Sequence, residues 1–320
     1  MYAMASWDYE SAGRRLDPTW PTEFLNKFRI PFSLMSIGVI YIATGRKFID
    51  EACVSVESLK GKMPDMPVTL FCDENVQSKH IDNVVIIEQP RFSLMDKVLF
   101  MNSSPYEHTL FLDTDTYVCD TFFELFPLLD RFDLAVAHSS YRAVYRVHGI
   151  PDSFPEFNTG VLLFKKSPQI AQLFANWLAL YERDLGNEQQ WLTPFGEVTM
   201  LESNLNDQPT FREAVYSSNV RVASLTPEYN CRFGSPGFVH NRVKIIHGRY
   251  PNLQIIARTI NADHSRRVHV MRWGKLAVTC GHDARRNNLD LVKWSLHYRG
   301  VWGTVALIAQ RVRDQLRKSH

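Results

Sequence analysis

Residues 109–120 read TLFLDTDTYVCD, a short apolar run that leads into two aspartates one residue apart. The run 109–112 is free of charge and rich in β-formers, which predicts a buried strand. Asp113 and Asp115 would then lie at the carboxyl end of this strand, the edge of an open α/β sheet where ligands bind. Two carboxylates at such a position can hold a hard divalent cation, although aspartate is also a common turn residue.

Similar apolar runs on either side predict the rest of an α/β fold. Strands are predicted at 37–43, 67–72, 84–88, 109–112, 132–137, 157–165 and 243–246. Periodicity predicts helices at 48–60, 94–101, 121–129, 167–182 and 208–216. Because the strands are apolar without alternation, helices should cover both faces of the sheet. The predicted fold is a three-layer α/β/α sandwich with a mixed, mostly parallel sheet and a C-terminal helical extension.

The charge of the chain is unevenly distributed. The 320 residues are 45% hydrophobic and 22% charged, which is ordinary for a globular protein, and the net charge is only +2. Residues 241–320, however, contain 16 Lys/Arg and 4 Asp/Glu, so this segment carries +12 and the remainder −10. A basic segment suits an anionic partner such as a phosphate or a membrane surface. Nucleic acid is not an expected partner, because no zinc-finger, RNP-like or helix-turn-helix pattern occurs.

Cysteine usage and targeting signals favour a cytoplasmic protein. The five cysteines are widely spaced without a CxxC pair, which argues against a disulfide scaffold and a cysteine metal cluster. The N-terminus lacks the apolar run of a signal peptide. The apolar stretch 305–309 is too short to cross a bilayer. The glycines form neither GxGxxG nor a Walker loop, so the two standard nucleotide-binding signatures are missing.

Four segments, taken in order, resemble the GT-A class of nucleotide-sugar glycosyltransferases, and within it the glycogenin-like family (glycosyltransferase family 8-like). They are IYIATGRKFIDEACVSVESLK at 40–60, LMDKVLFMNSSPYEHTLFLDTDTYV at 94–118, FNTGVLLF at 157–164 and VKIIHG at 243–248. DQPTFREAVY at 207–216 is similar to the Asp-Gln segment of that family. The resemblance covers roughly residues 37–250. We therefore predict a glycosyltransferase domain at 34–260. Composition and residue pattern predict a polar N-terminal extension at 1–33 and a basic extension with an amphipathic helix at 261–320, to which the resemblance does not extend.

The resemblance implies a hexosyltransferase that takes a sugar from a UDP-linked nucleotide donor and retains its anomeric configuration. It assigns Asp115 and His247 as direct metal ligands, with Asp113 on the metal or on the ribose. Two carboxylates and one imidazole suit Mn²⁺ best and Mg²⁺ next. A cation bound to the leaving diphosphate would stabilise the negative charge that develops there.

The resemblance also implies which residues bind the donor and which lie at the reacting centre. The donor-binding set is Ala43, Thr44, Lys97, Asp113, Thr114 and Gly248. The reacting-centre set is Lys97, Asn158, Asp207 and Gln208. From the residues themselves, Lys97 could equally be an exposed helix lysine. Lys244 and Arg249 flank His247 and could meet phosphate or lie on a solvated basic face.

Two alternative functions fit parts of the sequence. A haloacid-dehalogenase-type phosphatase also begins with an apolar strand that ends in DxD, with Asp113 as its nucleophile and Asp115 beside it. Its later acidic pair would be Asp283 and Asp290, which are spaced too widely, and three strands precede the DxD here. A non-catalytic nucleotide-sugar-binding protein could share the same fold.

The acceptor stays open among a glycan, a protein and a lipid-linked sugar. Five apolar residues near the C-terminus share one helical face with arginines around them: Val301, Val305, Ile308, Val312 and Leu316. A basic amphipathic helix of this kind can lie on an anionic membrane, which would suit a lipid-linked acceptor. The same helix could instead pack on the catalytic domain.

Overall fold

The central feature of the chain is a seven-stranded sheet. The computed structural model describes residues 37–139, 149–185, 189–193, 196–200, 206–234, 236–264, 266–272, 275–280, 296, 300–306 and 308–309. The strands of this sheet are β1 (Ile37–Ala43), β2 (Val68–Cys72), β3 (Asn83–Ile86), β4 (His108–Leu112), β6 (Leu134–His138), β7 (Phe157–Lys165) and β10 (Val222–Ser224). Their spatial order is β10-β6-β7-β4-β1-β2-β3. All neighbours are parallel except β7, which runs antiparallel to both β4 and β6.

Helices cover both faces of this sheet. They are α1 (Arg46–Lys60), α2 (Leu94–Phe100), α3 (Pro168–Leu185) and α4 (Gln208–Tyr216), whereas α5 (Leu253–Ile260) belongs to a separate hydrophobic cluster. Alternate residues of β1 point to opposite sides, so Val39 packs with the apolar face of α1, whereas Ile40 packs with α2, α3 and α4. Both clusters are fully buried, which explains why the strands are apolar without alternation. The predicted three-layer α/β/α class with a mixed, mostly parallel sheet is therefore confirmed.

Three smaller sheets lie outside the central one. The short strands β5 (Thr116–Val118) and β12 (Ile245–His247) pair antiparallel. The strands β8 (Gln189–Thr193) and β9 (Gly196–Met200) form a hairpin. The third sheet joins β11 (Gly237–Val239), β13 (Arg267–Arg272) and β14 (Lys275–Cys280), and its inner face packs with α5 around Phe233.

The segment after residue 260 is thus partly β-structure, because the β13–β14 hairpin continues the packing of β11 and α5. The division into 1–33, 34–260 and 261–320 stays a prediction, and residues 1–33 lie outside the described part of the chain. Residues 300–306 and 308–309 are helical. Val301, Val305 and Ile308 are exposed there, while Val312 and Leu316 lie outside the described residues. Among the described residues, no helix is both long and apolar enough to span a membrane.

Candidate metal and donor site

The two aspartates of the DxD motif are held in a turn between β4 and β5. The backbone N–H of Asp113 donates to the carbonyl of Gly160 on β7 at 2.8 Å. The backbone carbonyl of Asp113 accepts from the Thr116 backbone N–H at 3.2 Å and from its hydroxyl at 2.8 Å. These backbone contacts leave the carboxylates of Asp113 and Asp115 free to point away from the turn. Both lie at the carboxyl edge of the parallel strands, as the sequence predicts.

The pairing of β12 with β5 brings His247 to the same place. His247 lies opposite Thr116 in the antiparallel register, and the next backbone N–H, that of Gly248, donates to the Asp115 carbonyl at 3.0 Å. The His247 Nε2 atom is 3.3 Å from Asp115 Oδ1 and 3.5 Å from Asp113 Oδ2. One ligand atom from each of the three residues lies within 4.8 Å of the others. The predicted convergence of Asp113, Asp115 and His247 is therefore observed.

Two glycines make room for this arrangement. A Cβ atom on Gly160 would overlap the imidazole ring of His247, so only glycine lets the histidine lie against β7. Gly248 has a φ of 128°, a backbone conformation that side-chain-bearing residues rarely adopt. This conformation lets the chain turn directly after His247. The tight packing fixes the imidazole beside the aspartates.

Lys97 is a buried member of the same cluster and not an exposed helix lysine. Its Nζ atom lies 3.1 Å from Asp113 Oδ1 and 2.9 Å from Asp207 Oδ2, and it donates to the Thr159 hydroxyl at 3.1 Å. Burial alone would lower the pKa of Lys97, but the carboxylates of Asp113 and Asp207 outweigh it and raise that pKa. Lys97 therefore stays a cation between two carboxylates.

The two DxD carboxylates stay ionised even though they are partly buried. Burial acts to raise the pKa of Asp113, but Lys97 and His247 outweigh it and hold that pKa well below its ordinary value. Burial likewise opposes ionisation of Asp115, whose pKa is nevertheless lowered, mainly by the hydrogen bond from His247. The pKa of His247 is raised by both aspartates against the effect of burial. Without a metal, an imidazolium would thus be favoured between these carboxylates.

The other predicted reacting-centre residues lie near Lys97. Asp207 and Gln208 are at the start of α4, and Asn158 is on β7. The Asp207 Oδ2 atom accepts from the Thr159 hydroxyl at 2.8 Å, and the Trp177 indole N–H donates to the Asp207 carbonyl at 3.1 Å. The Asn158 side-chain Nδ2 donates to Gln208 Oε1 at 2.8 Å. The structure therefore brings Lys97, Asn158, Asp207 and Gln208 together next to the DxD motif.

The predicted donor-binding residues lie along the neighbouring strand ends. Ala43 is the last residue of β1, and the Thr44 hydroxyl donates to Asp96 Oδ2 at 2.7 Å. The Thr114 hydroxyl donates to Glu51 Oε2 at 3.1 Å. Asp96 and Glu51 lie within the segments that carry the resemblance but are not among the predicted site residues, yet both hold predicted donor-binding residues in position.

The structure separates the two basic residues that flank His247. Lys244 pairs with Asp120 at 3.3 Å and Glu124 at 3.2 Å, away from the cluster. The Arg249 guanidinium makes two bonds of 2.9 Å to Glu51 and lies 3.5 Å from Asp115 Oδ2. It also lies over the Phe48 ring, 5.6 Å from the centroid. Of the two residues that flank His247, Arg249 therefore lies beside the DxD motif and Lys244 does not.

As a set of ligands, Asp113, Asp115 and His247 fit a divalent cation. Two carboxylate oxygens and one imidazole nitrogen are ligands that Mn²⁺ accepts well and Mg²⁺ less well. The contacts above join four carboxylates, those of Asp113, Asp115, Asp207 and Glu51, to the cations of Lys97 and Arg249. With His247 neutral, this set carries a charge of −2. A divalent cation would balance that charge.

Sequence reasoning missed Asn230, which lies in the interior of the site. Its Oδ1 atom is 2.9 Å from the His247 Nδ1 atom, and its Nδ2 donates to Asn158 Oδ1 at 2.8 Å. It follows a short turn at Pro227–Tyr229, and no motif in the sequence marks it. The acidic pair that a phosphatase would need, Asp283 and Asp290, lies outside the described residues.

Comparison with known proteins gives glycosyltransferase structures. No protein-family model matches the chain, and no curated protein matches it. Among solved structures, the glycosyltransferase GlyE of Streptococcus pneumoniae TIGR4 is 18% identical with a TM-score of 0.44, over 62% of this chain and 47% of GlyE. The galactosyltransferase LgtC, solved with donor and acceptor sugar analogues, is 15% identical with a TM-score of 0.41, over 67% of this chain and 87% of LgtC.

A third similar structure is the bifunctional glycosyltransferase WbbM. It is 16% identical with a TM-score of 0.44, over 70% of this chain and 47% of WbbM. The chain thus spans about half the length of GlyE and of WbbM. All three are glycosyltransferases, the class that the sequence motifs resemble. Identities below 20% and TM-scores below 0.5 are too low to transfer an activity to this chain.

Proposed function

We propose that this protein is a metal-dependent glycosyltransferase that moves a hexose from a UDP-sugar to an acceptor hydroxyl with retention of anomeric configuration. The observation that carries the proposal is the cluster of Asp113, Asp115 and His247 at the carboxyl edge of the parallel strands. Buried Lys97 and the Asp207–Gln208 pair lie directly beside it. An aspartate that only shaped this turn would not need a buried lysine and a histidine beside its carboxylate.

Asp113, Asp115 and His247 would hold the metal, with Mn²⁺ favoured over Mg²⁺. When bound, the cation would stabilise the negative charge that grows on the leaving diphosphate. The excess of two negative charges in the cluster supports this assignment, since an anionic diphosphate could not approach it otherwise. Among the described residues, Lys97 and Arg249 lie close enough to the two aspartates to share that task.

The donor would lie along the ends of β1, β4 and β12. Ala43, Thr44, Thr114 and Gly248 line this edge, and Phe48 beside Arg249 offers an aromatic face. The Arg249 guanidinium is half exposed and could leave Glu51 for a phosphate oxygen, because it prefers bidentate anionic partners. This arrangement supports a nucleoside diphosphate donor.

Retention is supported by the surroundings of Asp207. Its Oδ2 atom is occupied by both Lys97 and Thr159, so Asp207 is poorly placed to act as a free nucleophile or base. In the proposed front-face reaction, the acceptor oxygen bonds to the anomeric carbon while the bond from that carbon to the diphosphate breaks. The acceptor proton passes to the departing diphosphate oxygen. Asn158 and Gln208 would bind sugar hydroxyls and hold the ring for this step.

The acceptor is proposed as a glycan, a protein or a lipid-linked sugar, in the cytoplasm or at a membrane surface. The lipid-linked case draws on the exposed Val301, Trp302, Val305 and Ile308 of the C-terminal helix, within the basic segment 241–320. Co-sedimentation of the wild-type and Trp302→Glu proteins with anionic liposomes tests this membrane contact. Equal pelleting of both proteins would argue against membrane contact.

The proposed activity is tested by a thermal-shift screen of nucleotide-sugars with and without Mn²⁺. A ligand that binds only the folded state raises the melting temperature in proportion to occupancy, so a UDP-sugar should act only when Mn²⁺ is present. Release of UDP then tests turnover, and NMR of the first product gives its anomeric configuration. Rapid turnover of p-nitrophenyl phosphate would favour the phosphatase, and binding without turnover would favour the non-catalytic protein.

A further inference from the structure

Three buried amide side chains link the metal-binding histidine to the reacting centre. The links run from His247 Nδ1 to Asn230 Oδ1 at 2.9 Å, from Asn230 Nδ2 to Asn158 Oδ1 at 2.8 Å, and from Asn158 Nδ2 to Gln208 Oε1 at 2.8 Å. All four residues are buried. The chain therefore connects residues that lie far apart in the sequence without intervening solvent.

A backbone group fixes the direction of this chain. The N–H of Gly160 donates to Asn158 Oδ1 at 3.3 Å, so this oxygen must be an acceptor. Asn230 must therefore present its NH₂ group to Asn158, and its Oδ1 atom must face His247. An oxygen facing His247 requires that Nδ1 carry the proton. The lone pair of a neutral His247 then lies on Nε2, the atom that points to Asp113 and Asp115.

We propose that Asn230 is a positioning residue that holds His247 as the Nδ1–H tautomer, with Nε2 directed at the metal, and that it couples this ligand through Asn158 to Gln208. This inference rests on the metal site of the proposed function. Ligating histidines usually donate their second ring N–H to a neighbouring acceptor, which fixes both tautomer and ring orientation. Here that acceptor is an amide, which can also donate onward to Asn158.

Two substitutions of Asn230 separate its role as acceptor for His247 from its role as donor to Asn158. Asn230→Ala removes the acceptor for Nδ1–H, so Mn²⁺ affinity should fall by about 10–100-fold. Asn230→Asp keeps an acceptor for Nδ1–H but cannot donate to Asn158 while ionised. It should therefore restore most of the Mn²⁺ affinity and still lower kcat. The matched control is Asn261→Ala, because Asn261 also makes two side-chain hydrogen bonds, both to the Val243 backbone, and contacts none of the three ligands.

The experiment is a Mn²⁺ titration of each full-length protein followed by EPR, with electron spin-echo modulation to detect nitrogen bound to Mn²⁺. The expected result is a nitrogen signal in wild type, Asn230→Asp and Asn261→Ala that is lost or weakened in Asn230→Ala. Equal Mn²⁺ affinity and equal nitrogen signal in wild type and Asn230→Ala would overturn the inference and leave the proposed function intact. A wild-type protein that binds no Mn²⁺ would overturn both.

Folding is monitored by circular dichroism and melting temperature without metal. If Asn230→Ala does not fold, Asn158→Ala provides the second test, because it removes the only fixed partner that orients Asn230 among the described residues. Asn158→Ala should weaken Mn²⁺ binding although Asn158 lies two residues away from the metal along the chain of hydrogen bonds. Unchanged Mn²⁺ binding in Asn158→Ala would then overturn the inference.

Discussion

Two aspartates, one at each end of the central sheet, each lie beside a lysine, and their surroundings differ. Asp133 precedes β6 at one end, where its carboxylate accepts from the Arg221 backbone N–H at 2.8 Å and from the Arg221 guanidinium, and pairs with Lys165 at 2.9 Å. Asp113 follows β4 at the other end, where it shares Lys97 with Asp207. One carboxylate has two cations at the first site, whereas two carboxylates share one cation at the second.

The difference shows in which of the two clusters the protein itself supplies enough cations to pair with the carboxylates. Hydrogen bonds from Arg221 are the main reason that the pKa of Asp133 lies well below its ordinary value, and every charge there has a protein partner. The Asp113 cluster, with Asp115, Glu51 and Arg249 included, has an excess of two negative charges when His247 is neutral and of one when His247 is protonated. Buried charge is costly unless it is paired, so the second cluster is the one that an added cation would stabilise.

The largest expected difference comes from removing the lysine of each cluster. Lys97→Met would leave Asp113 and Asp207 without their shared cation in a buried setting, which should cost about 3–5 kcal/mol in the free energy of unfolding. Lys165→Met should cost about 1 kcal/mol or less, since Asp133 keeps Arg221 and the pair is partly exposed. Urea denaturation of both variants measures the difference.

Adding Mn²⁺ to both lysine variants provides the control for this comparison. Saturating Mn²⁺ should recover part of the loss in Lys97→Met, because a divalent cation can neutralise Asp113, and should leave the loss in Lys165→Met unchanged. Equal losses in the two variants, both independent of Mn²⁺, would contradict the distinction between a complete and an incomplete cluster.

The second prediction concerns Asp115. Asp115→Ala should remove a metal ligand and with it several kcal/mol of transition-state stabilisation, so kcat should fall about a hundred-fold or more. The fold should survive, because the side chain leaves no packed apolar cavity. The rate of UDP release, together with the rise in melting temperature caused by Mn²⁺, measures the effect.

Asp120→Ala is the matched control, because Asp120 follows the next strand and makes a partly buried ion pair with Lys244, away from the metal-binding cluster. Its activity and Mn²⁺ response should equal those of the wild type. Near-normal, EDTA-insensitive activity in Asp115→Ala would show that the metal site and the mechanism built on it are wrong.

The third prediction concerns Asp133, the aspartate at the other end of the sheet. Asp133→Ala should lower the free energy of unfolding by about 2 kcal/mol, because it removes charge-assisted hydrogen bonds that join β6 to β10. Activity per folded molecule and Mn²⁺ affinity should stay unchanged. A selective loss of Mn²⁺ binding, with stability preserved, would mean that the Asp133 cluster has a function of its own.

Much of the fold could be predicted from the sequence wherever an apolar run is long. The bounds of β1, β7 and α4 agree with those predicted, because each segment is buried over most of its length and is flanked by polar residues. Short elements agree less well. β12 was predicted at 243–246 but spans Ile245–His247, since its extent depends on pairing with the three residues of β5.

The β13–β14 hairpin could not be predicted because its buried and exposed residues are reversed. Arg267 and His269 are buried and Val268 is exposed, which is the opposite of what side-chain polarity suggests. Arg267 is accommodated through a bond to the Asn241 carbonyl, and His269 packs against Phe233. Such contacts depend on distant segments, so local patterning does not show them.

The site was predictable to the extent that its residues follow strands. Asp113, Asp115 and His247 each come directly after or at the end of an apolar run, so the sheet edge gathers them. Asn230 and Glu51 are on no strand end, and their place in the site comes from contacts with residues 17 or more positions away. Local sequence patterns do not show which distant residues come together in the folded chain.

The last prediction adds a third carboxyl group, which has no donor at all among the described residues. Glu156 directly precedes β7 and is 1% exposed, and neither of its carboxyl oxygens has a hydrogen-bond partner in the part of the chain that the structure describes. Burial raises its pKa from 4.5 to about 8, with Arg212 opposing and Asp207 adding to the effect. The donors that keep Asp133 ionised are thus what Glu156 lacks.

The raised pKa of Glu156 makes stability depend on pH. Between pH 4.5 and about 8 the folded state holds a proton that the unfolded state has lost, so the free energy of unfolding falls as pH rises. Glutamine has no such proton. The stability advantage of Glu156→Gln over wild type should therefore grow from pH 5 to pH 8, by up to about 1.4 kcal/mol per pH unit. Asp133→Asn should show a constant difference over the same range, since the lowered pKa of Asp133 lies below it. Urea denaturation at four pH values measures both, and a constant difference for Glu156→Gln would mean that Glu156 is ionised throughout.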